Sequence, residues 1–354
     1  MHPLALGVIL TYECNISCSH CCFGCGKRGS GIEGLSEGIQ NLSEELLMKV
    51  IEQASRIPHF KVVSFTGGEP TLRYDLLLKA LGQAKKNGFN TRLVTNASWA
   101  KNPHKARSTL SELKEAGLDE INVTYDDFHS PFVPLSAIRN LYKASSSLGM
   151  RIAFAIVKQR SSVINKEYLM RMLKIEESKL GNEVFFIEDN VVPTGRGEML
   201  NEDCFFYKNE SPSEGYTGCP FVGTHLTVVP DGKIISCCGT PHREIPELEA
   251  GDLQTDSLFD IVERNQKDML LLWLSIIGPV GIMRRIGMNS KKGYANICHA
   301  CKVLFTDPAN RNVLEHYVKE KPAEIILNDI LLNDNMIKIA DKLMASPETR
   351  ARAD

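Results

Sequence analysis

The 354-residue chain has little net charge, −2 at neutral pH, and no long run of lysine or arginine. A nucleic-acid partner calls for a clustered basic surface, so that class is not indicated. A signal sequence is not evident either: the apolar run at 4–10 follows Met1 without a basic leader or a small-residue cleavage site. Nor does any apolar stretch reach the ~20 residues that a bilayer span requires. The most apolar window, 269–283, is broken by Ser275, Gly278 and Pro279. It reads as a buried helix end, with a lining for a greasy substrate or a membrane contact as the alternatives. A secreted disulfide framework would need an export signal and an even cysteine count, and the count is 11. A cytoplasmic protein without a membrane span is expected.

What the chain does have is cysteine in clusters, which in an unexported protein points to metal. It is also 43% hydrophobic, enough for a large core. Its length suits one α/β domain of up to ~250 residues with a smaller module attached. Apolar, β-branched runs occur at 3–11, 61–66, 91–95, 120–125, 151–157 and 183–187. Helical stretches lie between them at 43–55, 72–87, 103–116, 135–148 and 166–180, with Asn41 or Ser43 as the first helix start. Nearly continuous apolar strands separated by helices imply a parallel sheet covered by helices. Right-handed crossovers would curl it into a partial (β/α)6 TIM barrel with its chemistry at the C-terminal strand ends. The regularity stops near residue 200. Residues 205–218 are polar and turn-rich, and a hairpin at 225–229 and 233–236 turns through Pro230-Asp231-Gly232. The stretch 313–344 reads as polar helices.

The first cysteine group follows strand one directly, as Cys14-x3-Cys18-x2-Cys21. Three thiolates on one loop bind three irons of a [4Fe–4S] cube and leave the fourth open. Cys18, Cys22 and Cys25 have the same spacing. The first register is preferred because it lies nearest the strand end and puts the ring of His20, rather than Gly24, before the last cysteine. The competing reading is a zinc knuckle, which normally needs four tetrahedral ligands. Strand two ends in Thr66-Gly67-Gly68-Glu69-Pro70. Two glycines let the backbone approach a ligand closely, and a carboxylate accepts from an ammonium.

A cysteine triad after strand one and Gly67-Gly68-Glu69-Pro70 after strand two together resemble the radical S-adenosylmethionine (SAM) superfamily. The resemblance implies a SAM-binding [4Fe–4S] cluster on Cys14, Cys18 and Cys21, and reductive cleavage of SAM to a 5′-deoxyadenosyl radical. It assigns SAM contacts to His20, Gly67, Gly68, Glu69 and Pro70, and to Thr95 and Asn96 at the end of strand three. Asp126, ending strand four, would meet the ribose. Asp127 and His129 are either substrate or acid–base groups, or caps and surface residues. Arg196, in Pro193-Thr194-Gly195-Arg196, either meets a carboxylate or is a surface arginine in a glycine loop.

Cys219, then Gly232-x4-Cys237, resembles the SPASM and twitch extensions of that superfamily, in which the hairpin glycine packs against an auxiliary cluster. Cys298 and Cys301 would complete the ligand set for one auxiliary [4Fe–4S] cluster, with Cys238 able to exchange with Cys237 and zinc as the competitor. No further cysteines follow, which favours the shorter twitch form. The implied organisation is a barrel at 1–203, a C-terminal β-hairpin/helical auxiliary-cluster (twitch) domain at 204–305, and a helical tail at 306–354. Hydrogen-atom abstraction in the maturation of a ribosomally synthesised peptide, by crosslinking or epimerisation, is the leading expectation. The alternatives are radical modification of a sugar, aminoglycoside or lipid, and a non-catalytic iron–sulfur or zinc protein. An external electron donor of the flavodoxin or ferredoxin type is implied. Because the first strand starts almost at Met1, leader-peptide recognition is expected to come from a separate chain.

Overall fold

The computed structural model describes residues 1–26, 41–208, 218–238, 245–288, 292–306, 308–320 and 322. Six strands alternate with helices as the sequence pattern requires: β1 (Ala5–Thr11), α1 (Glu44–Ser55), β2 (Val62–Gly67), α2 (Tyr74–Lys86), β3 (Asn90–Thr95), α3 (Pro103–Glu115), β4 (Glu120–Thr124), α4 (Leu135–Leu148), β5 (Arg151–Lys158), α5 (Lys166–Leu173) and β6 (Val184–Asn190). Each strand pairs in parallel with the next. Strand β1 is buried at six of its seven positions, as expected where helices pack on a parallel sheet. Leu47, Val50, Ile51 and Ala54 form the buried face of α1, and Ser43 fixes its start by accepting from the Leu46 amide at 3.2 Å.

Two differences from the sequence pattern matter for the site. The fifth helix ends at Leu173, because Lys174 takes a left-handed φ of 56°. The predicted hairpin is present as β7 (His225–Val228) and β8 (Lys233–Ile235), but β7 lies parallel to β1 and β9 (Glu249–Asp252) follows β8. The result is one nine-stranded sheet ordered β6-β5-β4-β3-β2-β1-β7-β8-β9. The segment expected to begin a second module therefore extends the barrel wall past β1.

Among the described residues four helices follow: α6 (Leu258–Lys267), α7 (Met269–Arg285), α8 (Ile297–Thr306) and α9 (Pro308–Glu320). The apolar window is α7, and Trp273, Leu274, Ile277, Ile282 and Met283 on it are buried in the core. Gly278, at φ 67° before Pro279, breaks the helix. No single helix among the described residues is long and apolar enough to cross a membrane; α6 and α7 pass that test only as a pair bent by 56°. The Asp268 carboxylate caps α7 by accepting from the Leu270 and Leu271 amides at 2.8 and 3.0 Å. Asp268→Ala should lower stability by about 1 kcal/mol, read as a drop in the thermal midpoint. Residues 209–217 of the turn-rich segment 205–218, and most of the polar helices predicted at 313–344, lie outside the described residues.

Candidate iron–sulfur and SAM site

The strand ends meet at one cavity of about 260 Å³. Cys14, Cys18, Cys21, Cys22 and Cys25 all line it, together with His20, Gly67, Gly68, Thr95, Asn96, His129 and Arg196. The cysteine loop leaves β1 and is tied back on itself, with the Cys14 amide donating to the Gly26 carbonyl at 2.9 Å and the Cys21 amide to that of Cys18 at 3.2 Å. Asn96 fastens the loop to β3: its Nδ2 donates to Asn15 Oδ1 at 3.0 Å and reaches Cys14 Sγ at 3.7 Å. From the far side, Arg196 Nε donates to the Cys18 carbonyl at 2.9 Å and the Arg196 amide to that of Cys21 at 3.0 Å. A Cβ on Gly195 would lie 2.4 Å from the Cys22 carbonyl, so that position must stay bare. Arg196 is thus a clamp on the cysteine loop that also faces the cavity.

The chemistry of these sulfurs suits a metal. Burial, helped by Glu69 and the neighbouring Cys21 and Cys18, pushes the Cys14 thiol up to about 12. The hydrogen bond with Cys25 and the Arg196 charge hold Cys21 down, at about 6, against the effect of burial. A buried thiolate without a cation is costly, and iron supplies that charge as it displaces the thiol protons. Cys25 is therefore packed into the group rather than set apart from it.

The paired glycines have a reason the sequence does not show. A Cβ on Gly67 would lie 2.3 Å from the Thr11 carbonyl oxygen, and one on Gly68 would lie 2.1 Å from that of Glu13. The close approach is to the chain's own cysteine loop, while the same backbone lines the cavity. Glu69 lies wholly buried behind this wall, and Pro70 starts a short turn beside it; neither lines the cavity. The Glu69 carboxylate accepts from the Thr71 amide and hydroxyl, from Thr95 Oγ1 at 2.9 Å and from the Asn96 amide at 2.8 Å. Burial raises its pKa in spite of these donors. In this arrangement it locks β2 to β3.

Strand four brings a second surprise. Asp126, expected near a ribose, is fully buried and does not line the cavity. Its Oδ1 accepts from the Phe128 amide at 2.9 Å and meets His129 Nδ1 at 2.8 Å, and its Oδ2 accepts from the Val157 amide at 3.1 Å. Burial works against charge on His129, but the Asp126 carboxylate overcomes it and holds the ring's pKa up, at about 10. His20 stacks on Phe128 with centroids 4.3 Å apart, and burial lowers its pKa to about 4. Asp127 also lies outside the cavity, accepting from the Val163 and Ile164 amides to fix the loop before α5. Sequence reasoning missed Asp189, Val191, Val192 and Asn296 in the lining; the first three stand at or just past the C-terminal end of β6, and Asn296 directly precedes α8.

The second cysteine group also assembles. Cys219, whose amide donates to the Leu274 carbonyl at 2.9 Å, lies within electrostatic reach of Cys237, Cys298 and Cys301. Cys298 and Cys301 stand one turn apart on α8, and burial raises both thiols. Cys238 hydrogen-bonds Cys237 and is the more exposed of the two. Cys22 and Asn296, which directly precedes α8, line the same cavity. The hairpin glycine does not pack against these sulfurs: Gly232, at φ 92°, faces Leu46, Asp252 and Gln254.

Residues 8–147 match the model of the Radical SAM superfamily. The chain is 22% identical over 331 residues to YydG of Bacillus subtilis, named as a peptide biosynthesis protein, covering 90% of this chain and 98% of that one. It is 34% identical over 122 residues to a Pyrococcus horikoshii protein named as a GTP 3′,8-cyclase, a match that spans about a third of each chain, 34% of both. The solved structure of BtrN in complex with AdoMet and 2-DOIA covers 84% of this chain and 99% of its own, with 15% identity and a TM-score of 0.49. Proteins of this superfamily are enzymes that use SAM and a [4Fe–4S] cluster. With the cysteine loop and the Gly67-Gly68 strand end at one cavity, residues 8–147 are a radical SAM domain.

Proposed function

We propose that the protein modifies a ribosomally synthesised peptide, by crosslinking or epimerisation. The observation that carries this reading is the cavity itself, which gathers the first cysteine loop, the glycine strand end and, through Cys22 and Asn296, the border of the second cysteine group. Similarity to YydG along nearly the whole of both chains supports the peptide class. Cys14, Cys18 and Cys21 would hold the SAM-binding cluster, and Cys219, Cys237, Cys298 and Cys301 one auxiliary cluster in a twitch-like unit. Bound at this cavity, the cluster and SAM supply a 5′-deoxyadenosyl radical able to take a hydrogen atom from the substrate. The chain's own part is to seat SAM on Gly67, Gly68, Thr95 and Asn96, to clamp the loop with Arg196, and to narrow the opening against water. A reducing cytoplasm, a flavodoxin- or ferredoxin-type donor and a separate leader-binding protein belong to the same reading.

The test is incubation of anaerobically reconstituted protein with SAM, a reductant and the short peptides encoded beside its gene. Release of 5′-deoxyadenosine that depends on peptide is expected. Loss of two hydrogens would mark a crosslink, and uptake of one deuterium from D2O would mark epimerisation. Peptide-independent cleavage stimulated instead by a sugar, a lipid or a nucleotide such as GTP would overturn the peptide reading.

A further inference from the structure

We propose that Asp189 is a specificity-determining residue whose carboxylate receives a cationic side chain, lysine or arginine, of the peptide substrate. The inference deepens the peptide reading above and rests on it. Asp189, the penultimate residue of β6, is the one carboxylate among the residues lining the cavity, since Glu69 and Asp126 are buried behind its wall. Gly67 and Gly68 stand at the end of β2, and Thr95 and Asn96 at the end of β3, with β4 and β5 between them and β6. Asp189 thus occupies the wall away from the proposed SAM seat.

Two hydrogen bonds fix this carboxylate without using it up. Its Oδ1 accepts from the Asn190 amide at 2.7 Å, and its Oδ2 from Asn296 Nδ2 at 3.1 Å. Asn296 is itself pinned, because its Oδ1 accepts from the His299 amide at 3.0 Å at the start of α8. A carboxylate offers about four lone-pair sites, so about half of them stay open. Both donors are neutral amides, and among the described residues Asp189 forms no ion pair. Its neighbour Glu188 points to the opposite face of the strand and meets Lys158 Nζ at 3.2 Å. Of two adjacent acids, one is paired with a cation, and the other stands exposed at the cavity.

The surroundings suit a long cationic side chain. Val157, which pairs with Asp189 across β5 and β6, lines the cavity with Val191 and Val192. A methylene stem packs on such apolar walls while its charged head reaches the acid. The bond that forms is charge-assisted and stronger than a neutral one. The same carboxylate repels a phosphate or another anionic group. The competing role is purely structural, with Asp189 only holding Asn296 and through it the first turn of α8. Asparagine at 189 keeps an acceptor for Asn296 and removes the charge, which separates the two roles.

The experiment measures binding of the short peptides encoded beside the gene to the anaerobically reconstituted full chain, as wild type, Asp189→Asn and Glu188→Gln. Each peptide that binds is also made with norleucine, a stem without the cation, at each lysine or arginine in turn. Asp189→Asn is expected to weaken binding by about tenfold, and one norleucine peptide to lose the same factor on the wild type. The two changes together should cost little more than either alone, because they remove one contact. Glu188→Gln should bind peptide as the wild type does, and Asp189→Asn should bind SAM as the wild type does. Equal peptide affinity in wild type and Asp189→Asn, or losses that multiply when combined, would overturn the contact and leave the peptide reading standing. An equal loss in Glu188→Gln, a matching fall in SAM affinity, or a bound peptide with neither lysine nor arginine would do the same. Should Asp189→Asn fail to fold, the norleucine peptides decide on the wild type, and unchanged affinity for all of them overturns the contact. A wild-type chain that binds none of the peptides would overturn the peptide reading and this contact with it.

Discussion

Alanine at Cys14, Cys18 or Cys21 should each remove one cluster's worth of iron and drop SAM cleavage to the level of the metal-free chain. Alanine at Cys22 or Cys25 should leave both in place. The two groups of variants separate the two registers that share one spacing, and all five sulfurs line the same cavity, so position alone does not choose. What distinguishes Cys14 is its support. It leaves the end of β1 with its amide bonded to Gly26, and the Asn96 amide nitrogen reaches its sulfur at 3.7 Å. Asn96 is in turn held through its own backbone by Glu69. Such outer contacts orient metal ligands. A Cys14→Ala chain that kept its SAM-responsive cluster, alongside a Cys25→Ala chain that lost it, would move the ligand set to Cys18, Cys22 and Cys25. If the second cysteine group holds the auxiliary cluster proposed above, it serves as an internal control, because that iron should survive every one of these changes.

The parts of this molecule that are legible in the sequence are local. Strand phases show most clearly where a parallel strand is buried on both faces and reads as a continuous apolar run, as in β1; β3 and β6 are buried less evenly. The two motifs show because each occupies a single turn directly after its strand. The neighbour of β1 on its other side is not legible: the turn at Pro230-Asp231-Gly232 announces a hairpin, but nothing local tells β7 to pair with β1. Strand β9, with the sequence Glu-Ala-Gly-Asp, has almost none of the β-branched residues that mark a strand, and is held by pairing with β8. The roles of Asp126 and Glu69 are hidden for a similar reason. A carboxylate at a strand end reads as a ligand contact, and only the fold reveals that amides and hydroxyls of the next strand already occupy it.

Gly68→Ala should cost about 3 kcal/mol or more, at the upper end of overpacking penalties, and should prevent cluster assembly. The added methyl carbon would lie 2.1 Å from the Glu13 carbonyl oxygen, 2.6 Å from the Glu13 carbonyl carbon and 2.9 Å from the Tyr12 oxygen. All three are backbone atoms, so no side-chain rotation relieves the contact. The backbone cannot part easily either, because the Gly68 amide donates to the Thr11 carbonyl at 2.7 Å and the Glu69 amide to that of Glu13 at 2.9 Å. Forcing this seam open shifts the segment that delivers Cys14, so the stability loss and the iron loss have one cause. Domain stabilities of about 5–15 kcal/mol make such a penalty a large fraction of the total. Gly82→Ala, in α2, is the matched control. Its nearest neighbour for a new methyl group, the Ala116 carbonyl oxygen, is 3.9 Å away, and the substitution should raise stability by about 0.5–1 kcal/mol through helix propensity. Thermal midpoints of the metal-free chains, with iron content after reconstitution, read both effects. A Gly68→Ala chain as stable and as iron-rich as the wild type would mean that strand β2 does not press on the cysteine loop, and that the glycines are kept for the ligand alone.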